Sequence, residues 1–252
     1  NTFSEFINDK IEKNGILVYF AEDDELNNIC SRSTKEIEYI SYSTPNYHIK
    51  NKRVVINADP GEKEVQIFGK HNLQNLEGAR KVCNQLGVDN ERFFKAIKDF
   101  KGASRRLEHI AKGKNCDVFR DFAHAPSKLK ASIEAVKEQY PERELIACIE
   151  LHTYSSLTPE FLKEYKGSMN KTDISIAYLN PHAIKLKNLS PISEEQLRDA
   201  FNNNELKIYN DSKRLFQDLS AYSFHNKVFL LMSSGNFDGV DIENEFLINF
   251  RE

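Results

Sequence analysis

Short apolar runs alternate with amphipathic stretches through the second half of the chain, and this alternation indicates a fold class. The apolar runs are 117–122, 145–149, 174–179, 228–232 and, more weakly, 206–209. Because the runs 145–149, 174–179 and 228–232 are apolar almost throughout, we expect strands buried on both faces, as in a parallel sheet. Apolar residues at helical spacing, such as Leu129, Ile133 and Val136, fill the intervals. The pattern predicts an α/β fold with a doubly wound, mainly parallel sheet.

The first hundred residues follow a more mixed pattern. It predicts strands at 16–20, 37–42, 53–57 and 64–68, and helices at 25–31, 72–86 and about 91–98. Phe100-Lys101-Gly102 then interrupts the helical spacing. We place a domain boundary there, which divides the chain into domains of residues 1–100 and 101–252.

The first candidate binding residues follow the apolar stretch 65–68. Gly69 predicts a tight turn into the next helix, and Asn72 and Asn75 share one face of its first turn. Free backbone N–H groups and two carboxamides at a helix start suit a nucleotide, since a carboxamide both donates and accepts hydrogen bonds. The alternative is that one asparagine caps the helix and the other is solvated.

Further polar residues follow the apolar runs of the second half. They are Asp121 and His124, then His152, Tyr154 and Ser155, then Asn180 and His182, and finally Ser234 and Asn236. In a parallel α/β sheet ligands bind beyond the carboxyl ends of the strands. These side chains therefore mark a candidate cleft, although strand-to-helix loops are polar in most proteins.

The amino-acid composition bears on whether the protein binds nucleic acid, enters a membrane or forms disulfides. Of the 252 residues 40% are hydrophobic, and the net charge is −3, so neither disorder nor a nucleic-acid surface is indicated. No apolar run approaches the roughly 18 residues of a membrane span, and the first residues lack a signal-peptide pattern. Four cysteines without a C-x-x-C pair are typical of reduced thiols. We expect a cytoplasmic protein without membrane insertion.

Four segments resemble the motifs of one enzyme family, in that family's order. They are 69–75, GKHNLQN, against G-x-H-N-x-x-N; 100–108, FKGASRRLE, against F-x-G-x-x-R-R-x-E; 121–126, DFAHAP, against D-[FY]-A-H-x-P; and 150–155, ELHTYS, against P-H-x-Y-[ST]. On these motifs the chain resembles the Mur ligases, the ATP-dependent amide-forming enzymes of peptidoglycan synthesis. The last segment is similar to the branch that acts on UDP-N-acetylmuramate. Phe122 and Ala125 argue against the related folylpolyglutamate synthases, whose segment reads D-G-A-H-N-P.

The resemblance implies a fold and a nucleotide site. The chain would hold the end of a central ATPase domain, followed by a Rossmann-like C-terminal domain with a mainly parallel sheet. His71, Asn72 and Asn75 would hold the adenine and ribose of ATP. Arg106 would reach the phosphates, and Asp121 would face the nucleotide.

The resemblance also implies an acceptor side. His124 would complete the catalytic set with Arg106 and Asp121. The residues that face UDP-N-acetylmuramate or the incoming amine would be His124, His152, Tyr154, Ser234 and Asn236. The acceptor would be L-alanine or a short peptide, and it would attack an acyl phosphate.

One motif of the family is missing from the chain. No G-x-x-x-x-G-K-[ST] loop occurs in it. By resemblance that loop, the Mg²⁺ ligands and the domain that binds the UDP-sugar would precede Asn1. We therefore expect a fragment that is inactive alone.

Two alternatives stay open at this point. The chain could be a Mur-like binding module without catalysis, or a relative that adds meso-diaminopimelate, although no D-N-P-R acceptor motif is present. The acceptor is also open, because Thr153 stands where an arginine is expected in the L-alanine-adding branch and Ala125 where a second histidine is common.

Overall fold

The computed structural model describes residues 2–247, with only the backbone of Leu247. It divides into two compact units, one ending at Lys101 and one beginning at Gly102. This division lies within the segment where the hydrophobic pattern breaks. The first unit contains two small sheets, the second contains one six-stranded sheet, and each unit has its own buried core.

The first unit combines short helices with two small sheets. Its elements are α1 (Thr2–Glu5), a π-helical turn (Phe6–Lys10), β1 (Ile16–Phe20), α2 (Asp24–Arg32), β2 (Glu38–Tyr42), β3 (Tyr47–Lys50), β4 (Arg53–Asn57), β5 (Glu62–Val65), α3 (Lys70–Gln85) and α4 (Asn90–Ile97). Strands β1 and β2 are parallel, whereas β3, β4 and β5 form an antiparallel sheet. Helix α3 packs against β1 and β2 and buries Leu73 and Leu76.

Two strands of this unit differ from the prediction. The pattern did not predict β3, whose alternating burial is visible only once it pairs with β4. Strand β5 ends at Val65 rather than at 68, because its partner Val54 lies next to the start of β4 and no ladder remains beyond it. The apolar residues Ile67 and Phe68 are still buried, but in the connection to α3.

The second unit is built on a six-stranded sheet. Its elements are β6 (Glu108–Lys112), β7 (Cys116–Asp121), α5 (Pro126–Gln139), β8 (Glu144–Leu151), α6 (Pro159–Leu162), β9 (Ile174–Leu179), α7 (Pro181–Leu186), α8 (Glu194–Phe201), β10 (Lys207–Tyr209), α9 (Ser212–Ser220), β11 (Lys227–Met232) and α10 (Ile242–Leu247). Short 3-10 turns occur at Ser155–Leu157, Lys163–Tyr165 and Phe237–Gly239.

The order of strands in this sheet is β10-β9-β8-β11-β7-β6. All neighbouring pairs are parallel except β6 with β7, which is antiparallel. The predicted parallel strands are confirmed, whereas β6 was not predicted. Its sequence EHIAK is too polar to resemble a buried strand, and it lies at the sheet edge, where a polar face is tolerated.

The core of this unit covers both faces of the sheet. Val118, Cys148 and Leu231 pack in one cluster with residues of α9 and α10, and α5 packs against β8 and β11. The intervening residues of the central strands are buried as well. This double burial explains why β8, β9 and β11 are apolar over most of their length, as the sequence pattern indicated.

The structure also bears on membrane-spanning helices and on the state of the cysteines. Within residues 2–247 no helix is long and apolar enough to cross a membrane. All four cysteines are free thiols, and burial raises the pKa of the Cys116 thiol to about 12, which makes it unreactive near neutral pH.

Candidate functional site

The start of α3 presents backbone and carboxamide groups on one turn. Gly69 precedes the helix with φ 88° and ψ 133°, and no side chain among the described residues caps the helix there. The Asn72 Nδ2 atom donates to the Phe68 carbonyl at 3.0 Å, so its carboxamide oxygen remains as an acceptor. Asn75 is exposed one turn along, and His71 is half-buried. The turn therefore offers the polar groups that sequence analysis predicted for it.

A small polar cluster holds this turn against the ends of β1 and β2. Glu22 accepts hydrogen bonds from the Thr44 backbone N–H at 2.6 Å and from the Thr44 hydroxyl at 3.0 Å. These bonds, the backbone one first, lower the pKa of Glu22. Gln74 Nε2 donates to Thr44 Oγ1 at 2.9 Å, and Lys70 Nζ lies 3.4 Å from Glu22 Oε2. Sequence reasoning missed this cluster, because the residues that pair in it lie far apart along the chain: Glu22 and Thr44 are 22 positions apart, and Thr44 and Gln74 are 30.

In the second unit, the carboxyl edge of the parallel strands gathers the other predicted residues. Adjacent strands β9, β8, β11 and β7 end at this edge in that order. Asn180, His152, Ser233 and Asp121 therefore come next to one another across the sheet. Because β6 is antiparallel, the segment before Glu108 that carries Arg105 and Arg106 reaches the same edge.

Asp121 is buried and holds two loops. It is 3% exposed, and its Oδ2 accepts from the Leu107 N–H at 2.8 Å. Its Oδ1 accepts from the Ala123 N–H at 2.8 Å and from Ser132 Oγ at 2.9 Å. Both carboxylate oxygens thus have protein donors, and the nucleotide contact predicted for Asp121 stays a prediction.

Arg105 and Arg106 point to different partners. Arg105 Nη1 donates to the Gly235 carbonyl at 3.2 Å, which joins the segment before β6 to the loop after β11. Arg106 is exposed, and its guanidinium lies 5.3 Å from the centre of the Phe122 ring. Stacking of this kind orients a guanidinium while leaving its donors available to an anion.

His124 is fixed by its own loop. Its Nδ1 lies 2.9 Å from the Phe122 carbonyl, and because a carbonyl only accepts, Nδ1 is the donor; in the neutral tautomer with this proton, Nε2 is the acceptor. The Tyr165 hydroxyl donates to the His124 carbonyl at 2.5 Å. A neutral imidazole with an unprotonated Nε2 is a suitable base for an amine.

His152 and Ser234 form a pair across β8 and β11. Ser234 Oγ lies 3.3 Å from His152 Nε2, and the buried His152 Nδ1 has no hydrogen-bond partner among the described residues. Asn236 is exposed in the same loop as Ser234, and Tyr154 is 62% exposed just after His152. The structure thus brings four of the predicted substrate-side residues to one end of β8 and β11, and His124 follows the adjacent strand β7.

A buried carboxylate that sequence analysis did not single out lies under this pair. Glu150 is 2% exposed and accepts from Asn180 Nδ2 at 2.8 Å, from the Phe237 N–H at 2.9 Å and from the Ser233 hydroxyl. Asn180 also donates to Asp238 Oδ1 at 2.9 Å, and Asp238 accepts from the Tyr178 hydroxyl. Burial, followed by the bond to Asp238, raises the pKa of Tyr178. The signal available in the sequence was a lone glutamate inside an apolar strand.

Thr153 is engaged in its own turn. Its Oγ1 donates to Ser156 Oγ at 2.8 Å and accepts from the Ser156 N–H at 3.2 Å. The side chain therefore stabilises the 3-10 turn that follows β8. No group of three or more His, Cys, Asp or Glu side chains in the described part of the chain could hold a metal ion.

Comparison with known proteins identifies the relatives of this chain. No protein-family model matches it. The UDP-N-acetylmuramate–L-alanine ligase of Clostridium acetobutylicum is 27% identical to it over 98% of this chain and 56% of the ligase. The ligase of the same name from Caldicellulosiruptor bescii is 30% identical over 78% of this chain and 45% of the ligase.

The chain is a Mur ligase homologue. It spans about half the length of the curated relatives that it matches. The UDP-N-acetylmuramate–alanine ligase of Thermotoga maritima superposes with a TM-score of 0.67, 15% identity and coverage of 94% of this chain and 51% of that one. The MurF ligase of Thermotoga maritima in complex with ADP gives a TM-score of 0.66, 17% identity and coverage of 95% and 53%. These likenesses confirm the predicted Mur ligase fold, with its large, mainly parallel sheet.

Proposed function

We propose that the intact protein is an ATP-dependent ligase that joins the carboxylate of UDP-N-acetylmuramate to an amine acceptor in peptidoglycan synthesis or recycling. The observation that carries this proposal is the similarity to UDP-N-acetylmuramate–L-alanine ligases over 98% of the chain. The gathering of Arg106, His124, His152 and Ser234 at one sheet edge supports it. The proposal includes a cytoplasmic location, where ATP and the nucleotide sugar are available.

The start of α3 supports a role in binding ATP. The Asn72 carboxamide oxygen can accept from the exocyclic amine of adenine, and Asn75 offers a donor and an acceptor to the base or ribose. We assign His71 to the same nucleotide side, as its place in the first turn suggests. Within residues 2–247 no side chain caps this helix start, so its backbone N–H groups can face a ligand.

Arg106 supplies positive charge for phosphoryl transfer. The carboxylate oxygen of UDP-N-acetylmuramate attacks the γ-phosphorus, and the bond between that phosphorus and the ADP oxygen breaks. Negative charge spreads over the transferred group, and a guanidinium held by Phe122 would stabilise it. Mg²⁺ supplies the same kind of charge neutralisation when it is bound, but no ligand for it is assigned within the described residues.

The two histidines support amide formation. The acceptor nitrogen attacks the acyl carbon, the bond from that carbon to the phosphate oxygen breaks, and phosphate leaves. The nitrogen also gives up one proton as the amide forms. His124 Nε2 is the acceptor that we assign to this proton, since its Nδ1 is committed to the Phe122 carbonyl. His152, paired with Ser234, would orient the acceptor, with Tyr154 and Asn236 at the edge of the site.

The Thr153 side chain is hydrogen-bonded within its own turn. This supports an acceptor larger than free L-alanine. A free amino acid carries a carboxylate next to its amine, so a nearby cation would anchor it. Thr153 offers no cation, and its hydroxyl is already bonded to Ser156. A peptide acceptor has its carboxylate farther away and needs no cation at this position.

The test is an assay of the full-length protein. ADP release is measured with UDP-N-acetylmuramate alone, with L-alanine, and with peptides that begin with L-alanine. The proposal expects ADP release that requires both the nucleotide sugar and an amine. ADP release that is independent of UDP-N-acetylmuramate would contradict it.

A further inference from the structure

Glu150 lies where three strand ends meet, and it contacts all of them. It belongs to β8, Asn180 follows β9, and Ser233 and Phe237 follow β11. Every one of these groups donates to the Glu150 carboxylate. A carboxylate has only acceptors to offer, and here both of its oxygens are used.

The loop after β11 is built directly on this carboxylate. Ser233 Oγ donates to Glu150 and accepts from the Gly235 N–H at 2.7 Å, while the Phe237 N–H returns to Glu150. A Cβ atom at Gly235 would lie 2.9 Å from Glu150 Oε2 and 3.2 Å from the His152 ring. The loop is therefore in contact with both side chains, and only glycine fits between them.

The same loop carries the groups assigned to the acceptor. Ser234 sits between the two residues that Glu150 fixes, and its hydroxyl lies 3.3 Å from His152 Nε2. The Gly235 carbonyl accepts from Arg105. Any displacement of the loop from Glu150 would move Ser234 away from His152.

We propose that Glu150 is a positioning residue for the acceptor side of the site, because its buried carboxylate holds the loop Ser233–Phe237 and thereby keeps Ser234 against His152. This inference rests on the proposed ligase function. It assigns no contact between Glu150 and a substrate. Its effect on the reaction passes through Ser234 and His152.

Glu150→Gln tests the inference with almost no change in shape. A glutamine has one acceptor oxygen, and its NH₂ group must face either Asn180 or the Phe237 N–H, both of which are donors. Asn180 turns its Nδ2 toward residue 150, and its Oδ1 accepts from the Ala183 N–H at 2.9 Å, so its amide cannot flip to accept from the glutamine without losing that bond. One side of the junction is therefore broken in either orientation. Ser233→Ala is a second, milder variant that removes only the Ser233 hydroxyl, which donates to Glu150 and accepts from the Gly235 N–H.

Asp117→Asn is the matched control. Asp117 is also a buried carboxylate of the sheet, at 4% exposure, and it accepts from Arg143 and His109. It lies near the start of β7, at the opposite edge from the site. The control therefore reports the general cost of turning a buried carboxylate into an amide.

The first measurement is steady-state kinetics of the full-length protein. Glu150→Gln and Ser233→Ala are expected to raise the KM of the amine acceptor about tenfold and to leave the KM of ATP unchanged, as for loss of one positioned contact. Asp117→Asn is expected to change neither KM. An active parent enzyme whose acceptor KM is unchanged in both variants would overturn the inference.

The second measurement separates this inference from the proposed function. The ring signal of His152 is followed by NMR in protein labelled with ¹³C-histidine, and it is assigned by its loss in His152→Gln. A shift in Glu150→Gln and Ser233→Ala, but not in Asp117→Asn, supports positioning even if the parent shows no ligase activity. An unmoved His152 signal in both variants overturns it, whether or not the parent is a ligase.

Discussion

At the scale of single residues, the sequence predicted candidate site residues where polar side chains directly follow an apolar strand. His152 and Ser234 were found in this way, and the structure places them 3.3 Å apart. Glu150 was missed because it lies two residues earlier, inside the strand. A lone glutamate in a buried strand must be satisfied by donors from elsewhere in the fold, so it is itself a signal of a polar junction.

The proposed nucleotide role of Asn75 can be measured directly. Replacing Asn75 by Ala should raise the KM for ATP in the full-length protein by roughly ten- to a hundredfold, if one or two hydrogen bonds of ~1.5 kcal/mol are lost. Asn72→Ala should do the same, but it also removes the bond to Phe68. Asn84→Ala, on the same helix and bonded to Val88, is the control that should keep the KM for ATP. An unchanged KM in both site variants would leave the two asparagines with a structural role.

Thr153 permits a test of the acceptor. If the acceptor is a peptide, Thr153→Arg should not improve the use of L-alanine relative to L-alanyl peptides, and it should lower stability by about 1 kcal/mol through loss of the turn contacts with Ser156. Rates with both acceptors and the urea midpoint are measured together. Thr153→Ser keeps the hydroxyl and serves as the control. Efficient use of L-alanine by the parent, well above any peptide, would contradict the peptide-acceptor proposal.

At the scale of elements, hydrophobic pattern predicted the buried parallel strands and failed at the edges. Strand β8 is apolar and buried over nearly its whole length, so its periodicity leaves little ambiguity. Strands β3 and β6 are short and polar, and their strand conformation depends on backbone pairing with β4 and β7. Local propensity cannot encode such pairing, because the partner is chosen by the fold.

Glycine substitutions at the two ends of α3 can separate a nucleotide-binding role of the helix start from a purely structural role. Gly69 and Gly87 both have positive φ, 88° and 82°, so alanine at either position should cost about 1–2 kcal/mol. Gly69→Ala should also raise the KM for ATP, since it distorts the turn that carries His71 and Asn72. Gly87→Ala, at the far end of the helix, should destabilise the protein to a similar degree without changing that KM. Equal effects of both variants on the KM would argue against a nucleotide site at the helix start.

At the scale of the whole molecule, a buried ionic junction links stability to pH. Burial by itself would raise the pKa of Asp117, but hydrogen bonds from His109 and Arg143 outweigh burial and hold that pKa below its ordinary value. Arg143 stacks over Tyr140 at 5.0 Å and is buried, so it depends on this carboxylate for its charge partner. The junction joins β6, β7 and the segment before β8.

The direction of the pH effect follows from the lowered pKa. Below the unfolded carboxyl value of about 3.9, the unfolded chain binds the proton more tightly than the folded one, so stability falls as pH falls. The contribution is fully present above that value and is lost as pH drops through the lowered folded pKa. Urea unfolding at decreasing pH should show a weaker acid dependence in Asp117→Asn than in the parent. Exposed Glu142→Gln, in the same unit, is expected to behave like the parent.

The sequence alone determined the α/β class, the parallel strands, the break near residue 101 and the family resemblance. All of these depend on local order along the chain: which residues are apolar, at what spacing, and which short motifs follow one another. Only the tertiary structure decided that Glu150, Asn180 and Ser233 form one junction, and that Arg105 reaches Gly235 across 130 positions. Such contacts depend on strand order, which places β11 between β8 and β7. The hydrophobic pattern requires that each strand be buried, but it does not specify which strands are its neighbours. The order of the strands therefore decides which polar groups at the strand ends become hydrogen-bond partners.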